Sequence, residues 1–334
     1  MRPLNALFLL FGTIVVLIGG IAYYNVHTDP QCFYSCPEID PKRPTLNAYY
    51  EVAKTIVAHP DAEQIILGSS RGQTTPPLWV QDMTGMKTLN LSSQGAEFVT
   101  KLAFVNIAEE KTRLKRVIWL ADYFELISEN ADPKIKNTPA LRKYLEGNNA
   151  AVVSGSFVDT FKTLIDHNTT EASIEFKKRG GLPAESQGAA SHMDAKACAS
   201  SEFKGLVGND VLKREVEMLY QNYTQRVLVS PQNPQLLENF ATKMKSLAAK
   251  GIDILIVVTP YHPDFLLKMK AEFPEIYQRH LDWIQKLKTL DGERIRVVDS
   301  LASIPGGDSS PAYWNDGVHF TCKGAMSLLG PLLK

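Results

Sequence analysis

The sequence predicts an α/β fold in which helices cover both faces of a parallel sheet. Three observations carry this. Short apolar runs are continuous rather than alternating, helical apolar stripes separate them, and polar or glycine-rich residues follow them directly. Continuous β-branched runs belong to strands buried on both faces, as in parallel sheets. The runs are Gln64-Ile65-Ile66-Leu67, residues 87–91, residues 116–120 (Arg-Val-Ile-Trp-Leu), residues 252–258 (Ile-Asp-Ile-Leu-Ile-Val-Val) and residues 295–298. A helix is expected over Tyr49 to Ala58. Leu236, Leu237, Phe240, Met244 and Leu247 form a stripe at helical spacing that Gly251 ends. Leu266 to Leu290 reads as a helical stretch broken at Pro274, and Met326 to Leu333 as a closing helix. The order is β-α-β-α-β, a long excursion, then β-α-β-α. That alternation implies three layers with right-handed crossovers.

The N-terminus stands apart from this pattern. Leu4 to Tyr24 carries no charge, and such a helix is about 30 Å long, the thickness of a bilayer core. Arg2 precedes it and Asp29 follows, which puts the N-terminus in the cytoplasm and the rest outside. Cleavage at Gly20-Ile21-Ala22 is the competing reading. The run exceeds the usual signal-peptide core, which favours a single-pass anchor over residues 1–27. Residues 28–45, rich in Pro, Asp and Cys, read as a stalk, and residues 46–334 as the α/β domain.

The excursion, about 127–233, is far longer than a crossover needs and reads as a largely helical insertion, with a helix-like piece at Phe157 to Ile165 and a Gly/Ala/Ser-rich stretch from Gly180 to Ser201. It is either a lid or a decorating subdomain. An exported chain meets an oxidising compartment, so Cys32, Cys36, Cys198 and Cys322 are open to disulfide formation. Four cysteines allow three full pairings; Cys32 with Cys36 and Cys198 with Cys322 is preferred because the first pair is local. No His or Cys pair follows Cys32-x-x-x-Cys36 at zinc-ligand spacing, and neither metal nor cofactor is expected. Lys plus Arg and Asp plus Glu both number 36, so the chain lacks the basic excess of a nucleic-acid binder.

Chemistry in open α/β sheets sits at the carboxyl ends of the strands. There the sequence places Gly68-Ser69-Ser70-Arg71-Gly72, then Ser92-Ser93-Gln94-Gly95, Ala121-Asp122-Tyr123 and Thr259-Pro260-Tyr261-His262-Pro263. Asn315-Asp316-Gly317-Val318-His319 lies near the C-terminus. A serine hydroxyl needs a base to become a nucleophile, histidine titrates in the right range, and a carboxylate on its other nitrogen fixes the tautomer. Asp316 and His319, three apart, share one face of a helical turn, with Gly317 freeing the backbone. Ser70 is the candidate nucleophile. The nucleophile elbow of α/β-hydrolases fits less well, because its acid and base come from separate strand ends.

These blocks resemble the SGNH/GDSL hydrolase superfamily, whose fold is a flavodoxin-like three-layer sandwich. The resemblance covers residues 64–126 and 252–334. It implies a Ser70–His319–Asp316 triad and an oxyanion hole lined by the Gly95 N–H, joined by the N–H of Ser70 itself. The layout is similar to the membrane-anchored D-alanyl transfer proteins, which combine an N-terminal anchor, Gly-Ser-Ser and a C-terminal Asp-Gly-x-His. Ser69 replaces the family's usual Asp. Asp122 stands where an oxyanion-donating Asn is usual, and an ionised carboxylate cannot donate. Arg71 is expected to pair with Asp122 and face the substrate, with a solvated side chain as the alternative. His262 is a candidate substrate contact. The implied activity is extracytoplasmic serine-dependent acyl-ester chemistry on an envelope polysaccharide or glycan, as esterase or O-acyltransferase. Its partners would be the membrane, an acyl donor, a glycan acceptor and a membrane-embedded acyltransferase. The alternative is a non-catalytic binding or assembly module that kept the fold.

Overall fold

The computed structural model describes residues 3–128, 132–145, 162, 164–181, 208–302 and 304–334. In chain order the described helices and strands are α1 (Pro3–Thr28), α2 (Ala48–Ala58), β1 (Gln64–Leu67), α3 (Pro77–Thr84), β2 (Thr88–Asn90), α4 (Phe98–Lys111) and β3 (Arg116–Ala121). Then come α5 (Pro133–Lys136), α6 (Pro139–Arg142), α7 (His167–Lys178), α8 (Asn209–Asn222), α9 (Pro234–Ala249) and β4 (Asp253–Val258). The chain closes with α10 (Pro263–Glu272), α11 (Pro274–Lys288), β5 (Ile295–Val298) and α12 (Cys322–Leu329).

All five expected runs are strands of one sheet, ordered β2-β1-β3-β4-β5 and parallel throughout. β1 and β2 are buried at every position and β3 and β4 at all but the first, whereas β5, at the edge opposite β2, alternates between buried and more exposed positions. The chain steps one way from β1 to β2 and the other way from β2 over β1 to β3. Right-handed crossovers therefore put α3 on one face and α4, α9 and α11 on the other. Phe98 of α4, Trp119 of β3 and Phe240 of α9 interlock there, with ring centroids 5.2–6.1 Å apart. The reversal falls between β1 and β3, and the carboxyl ends of the strands at such a point are where sheets of this kind bind ligands. Pro274 separates α10 from α11 as the sequence implied.

The segment expected to be a stalk is instead folded onto the domain. Asp29, Cys32, Cys36, Thr45 and Asn47 are buried. The Asp29 carboxylate accepts the N–H groups of Phe33, Tyr34 and Ser35 at 2.8, 3.0 and 2.7 Å. Cys32 and Cys36 form the expected disulfide. Leu46 N–H donates to the Pro30 carbonyl at 2.6 Å, closing the segment into a collar. Asn47 caps α2 through its oxygen, while its amide nitrogen bonds Gln31 O, Lys134 O and Thr138 Oγ1. Polar residues that solvate a free linker here satisfy one another and the first insertion helices.

Helix α1 has a 22-residue stretch, Leu7–Thr28, of mean hydropathy 2.2, and by length and composition it fits a membrane anchor or a signal sequence. Among the described residues the insertion is helical, in α5 to α8. The piece at Phe157 to Ile165 and the stretch Gly180 to Ser201 fall largely outside the described residues. Cys322 is a half-cystine, and its expected partner Cys198 lies outside them.

Candidate active site

Ser70 follows β1 and opens a short 3-10 turn, Ser70–Thr74, in which the Ser69 side chain caps the Arg71 N–H. Two neighbours hold this turn down. Asn90, at the end of β2, donates to Gly72 O and Thr75 O at 2.9 and 2.8 Å. Ser92 presses from the loop that follows. A Cβ on Gly68 would come within 2.9 Å of Ser92 Oγ, and one on Gly72 within 2.3 Å, so both positions need glycine for close packing. The turn is thus clamped against the end of β2, and the Ser70 side chain stays half-buried at the carboxyl edge of the sheet.

Asp316 and His319 reach Ser70 from the other end of the chain. They lie not on a helical turn, as their spacing suggested, but on a tight loop closed by the antiparallel bridge between Trp314 and Phe320. Asn315 N–H donates to His319 O at 2.8 Å. Asp316 Oδ1 accepts the N–H groups of Val318 and His319 at 2.8 and 2.7 Å, and Oδ2 lies 2.6 Å from His319 Nδ1. His319 Nε2 lies 2.7 Å from Ser70 Oγ. With its Nδ1–H given to the carboxylate, the imidazole presents Nε2 as the acceptor for the serine proton. Burial works against the Asp316 charge, but the bond to His319 and the two backbone donors outweigh it, and the carboxyl is held below its usual range. Thr74 Oγ1 donates to Phe320 O at 3.1 Å and ties the two loops together. Gly317 does not take the positive φ that its expected role implied. A Cβ there would meet Phe265 of α10 at 2.9 Å, with the Val216 backbone of α8 at 3.4 Å behind it, so the glycine serves close approach chiefly by α10.

Arg71 pairs with Asp122 as expected, at 3.2 Å, but neither side chain is solvated: 1% of one and none of the other is exposed. Thr259, at the end of β4, joins them. Its Oγ1 accepts from Arg71 Nη1 at 2.8 Å and donates to Asp122 Oδ1. The guanidinium lies over the Tyr261 ring, 4.4 Å from its centroid. Tyr261 OH lies 3.1 Å from His280 Nε2, whose Nδ1 is 2.9 Å from Ile276 O. Burial holds His280 down to about 3, so it stays neutral and accepts a hydrogen bond from the Tyr261 hydroxyl. Sequence reading placed Thr259 and Tyr261 at this strand end without assigning them this bracing role, and gave His280 no role. Of these, only the position of Thr259 and Tyr261 just after a buried strand was a usable signal.

Gly95 sits in the turn from Ser93 to Ala96 with φ +66°, a conformation that favours glycine. It lies at the same carboxyl edge as Ser70, whose own N–H begins the 3-10 turn and has no intrahelical acceptor. His262 departs from its expectation as a substrate contact. It is 2% exposed, caps α10 by accepting the Asp264 N–H on Nδ1, and holds Ser309 O at 3.0 Å through Nε2. Its backbone N–H donates to Gly317 O at 3.0 Å. Its ring nitrogens are therefore spent on α10 and Ser309, and its backbone N–H on the loop that carries Asp316 and His319.

No family model and no curated protein matches the chain in sequence. Among solved structures, a protein of Streptococcus pneumoniae described provisionally as a platelet activating factor is similar over 86% of this chain and 94% of its own. The identity is 9% and the TM-score 0.40. A likeness of that grade carries no argument, and the α/β fold rests on the five-stranded sheet itself.

Proposed function

We propose that the chain is a serine-dependent acyl-ester enzyme of the SGNH/GDSL kind, acting outside the cytoplasm through Ser70, His319 and Asp316. One observation carries this reading: the unbroken hydrogen-bonded chain from Ser70 Oγ through His319 to Asp316. Ser70 Oγ attacks the ester carbonyl carbon while His319 Nε2 takes the hydroxyl proton. The collapsing intermediate expels an alkoxide, which receives that proton, and the acyl group stays on Ser70. Water then gives an esterase and a glycan hydroxyl gives an O-acyltransferase. The N-terminal apolar helix and the Cys32–Cys36 disulfide support an envelope location, and with it an envelope polysaccharide as acceptor. The Ser70 and Gly95 N–H groups are the proposed oxyanion donors.

One observation favours a second reading, a binding or assembly module. Asp122 replaces an oxyanion-donating Asn, and its Oδ1 is held by Arg71 and Thr259. Fluorophosphonate labelling of the purified chain separates the two. Labelling that disappears in Ser70→Ala and His319→Ala is the expected result. A folded protein that takes no label belongs to the second class.

A further inference from the structure

The collar fixes where the apolar helix leaves the domain. Pro30 and Leu46 share a backbone hydrogen bond, and Asn47, the N-cap of α2, bonds Gln31 O. The end of α1 is thus stitched to the start of α2. Helix α2 runs down to the amino end of β1, and β1 runs back up to Ser70, so the start of α2 lies at the carboxyl edge of the sheet. A direct contact agrees: Tyr49 OH lies 3.4 Å from Gln94 O, next to Gly95. The 11 residues of α2 separate this edge from the amino edge by about 16 Å.

The joint is also braced from the insertion. Asn25, in the last turn of α1, is fully buried, and its amide donates to Leu164 O at 2.8 Å and Thr170 Oγ1 at 2.9 Å. Residues Leu7 to Leu17, by contrast, expose their large apolar side chains along the helix. The helix is bare where a bilayer would cover it and docked where it would leave the bilayer. A tether of this kind restricts orientation as well as distance, unlike a flexible linker.

We infer that the collar holds the catalytic edge towards the bilayer surface, and that the acyl ester Ser70 meets is carried by a molecule embedded in that bilayer. The orientation rests on the topology and on α1 being the membrane anchor; the choice of substrate also rests on the serine reading. The full chain in phosphatidylcholine vesicles tests both. A fluorophore on Gln94→Cys, at the carboxyl edge, is expected to be quenched several-fold more by a headgroup spin-labelled lipid than one on Glu293→Cys, at the amino edge. Equal or reversed quenching overturns the orientation. For the substrate, a vesicle-embedded 4-methylumbelliferyl palmitate is compared with soluble p-nitrophenyl acetate, before and after insertion of ten Gly/Ser residues between Thr28 and Asp29. Turnover of the embedded ester is expected to fall at least fivefold, with the soluble ester unchanged, which also shows that the variant folds. An embedded ester that is not turned over, or is indifferent to the insertion, overturns the substrate claim. No turnover of either ester by the unaltered chain sinks the serine reading and leaves the quenching result standing.

Discussion

On one side of Ser70, the His319 and Asp316 side chains keep 28% and 18% of their surface in solvent; on the other, Arg71 and Asp122 are sealed. Both pairs join a cation-capable group to a carboxylate within a few ångströms of one turn. Their surroundings assign them different work. A base that cycles its proton during turnover needs access to water and a charge state that changes cheaply. A buried ion pair has neither, because any change leaves an uncompensated charge in a low dielectric. The Arg71 pair instead fixes the positions of three strand ends, β1, β3 and β4, at the carboxyl edge of the sheet. Exposure, rather than residue type, separates the group suited to chemistry from the group that holds it in place.

The largest expected effect tests the open side. Asp316→Asn should lower ester turnover by about 10⁴-fold through the wrong imidazole tautomer, with little change in melting temperature. A comparable loss of stability would mean that this pair is structural too. Next comes the sealed side. Arg71→Met should destabilise by about 3–5 kcal/mol in urea denaturation, because Asp122 is left buried and unpaired. Adding Asp122→Leu should recover much of that loss. Strictly additive losses would break the pairing and, with it, the contrast between the two sides. The smallest effect lies at Glu97, beside the Gly95 turn. Burial first, then the Asp132 charge, push its carboxyl from the ordinary 4.5 up to about 7. Between those values the folded chain holds a proton that the unfolded chain has lost, so stability should fall as pH rises through that window. Glu97→Gln should flatten this slope in melting curves from pH 4 to 8; an unchanged slope would place its origin elsewhere.

The sheet was readable because buried parallel strands leave a signal in their own residues. Gln64–Leu67 and Ile295–Val298 fall at their expected bounds, and β2 and β4 each begin one residue later than expected. The Arg71–Asp122 pairing was readable for a related reason, since both residues follow adjacent strands. The collar was not. Its composition is that of a linker, and what folds it is partners such as Lys134 and Thr138, nearly a hundred residues away. His262 was misread because a histidine at a strand end looks the same whether its nitrogens are free or spent. Gly317 was read for backbone freedom, but what requires it to be small is the Phe265 ring of α10, a contact distant in sequence that its own neighbours do not signal.

The loop that carries Asp316 and His319 makes their geometry a local matter. Bridge, carboxylate and backbone donors all lie within Trp314 to Phe320, so the acid–base unit can be assembled by a few neighbouring residues. The bond to Ser70 spans the chain, across 249 positions, and the Thr74 bond to Phe320 O spans nearly as many. Turnover by this protein should therefore act as a gauge of closure: it requires the unit between Trp314 and Phe320, and it begins once the first and last thirds of the polypeptide have met.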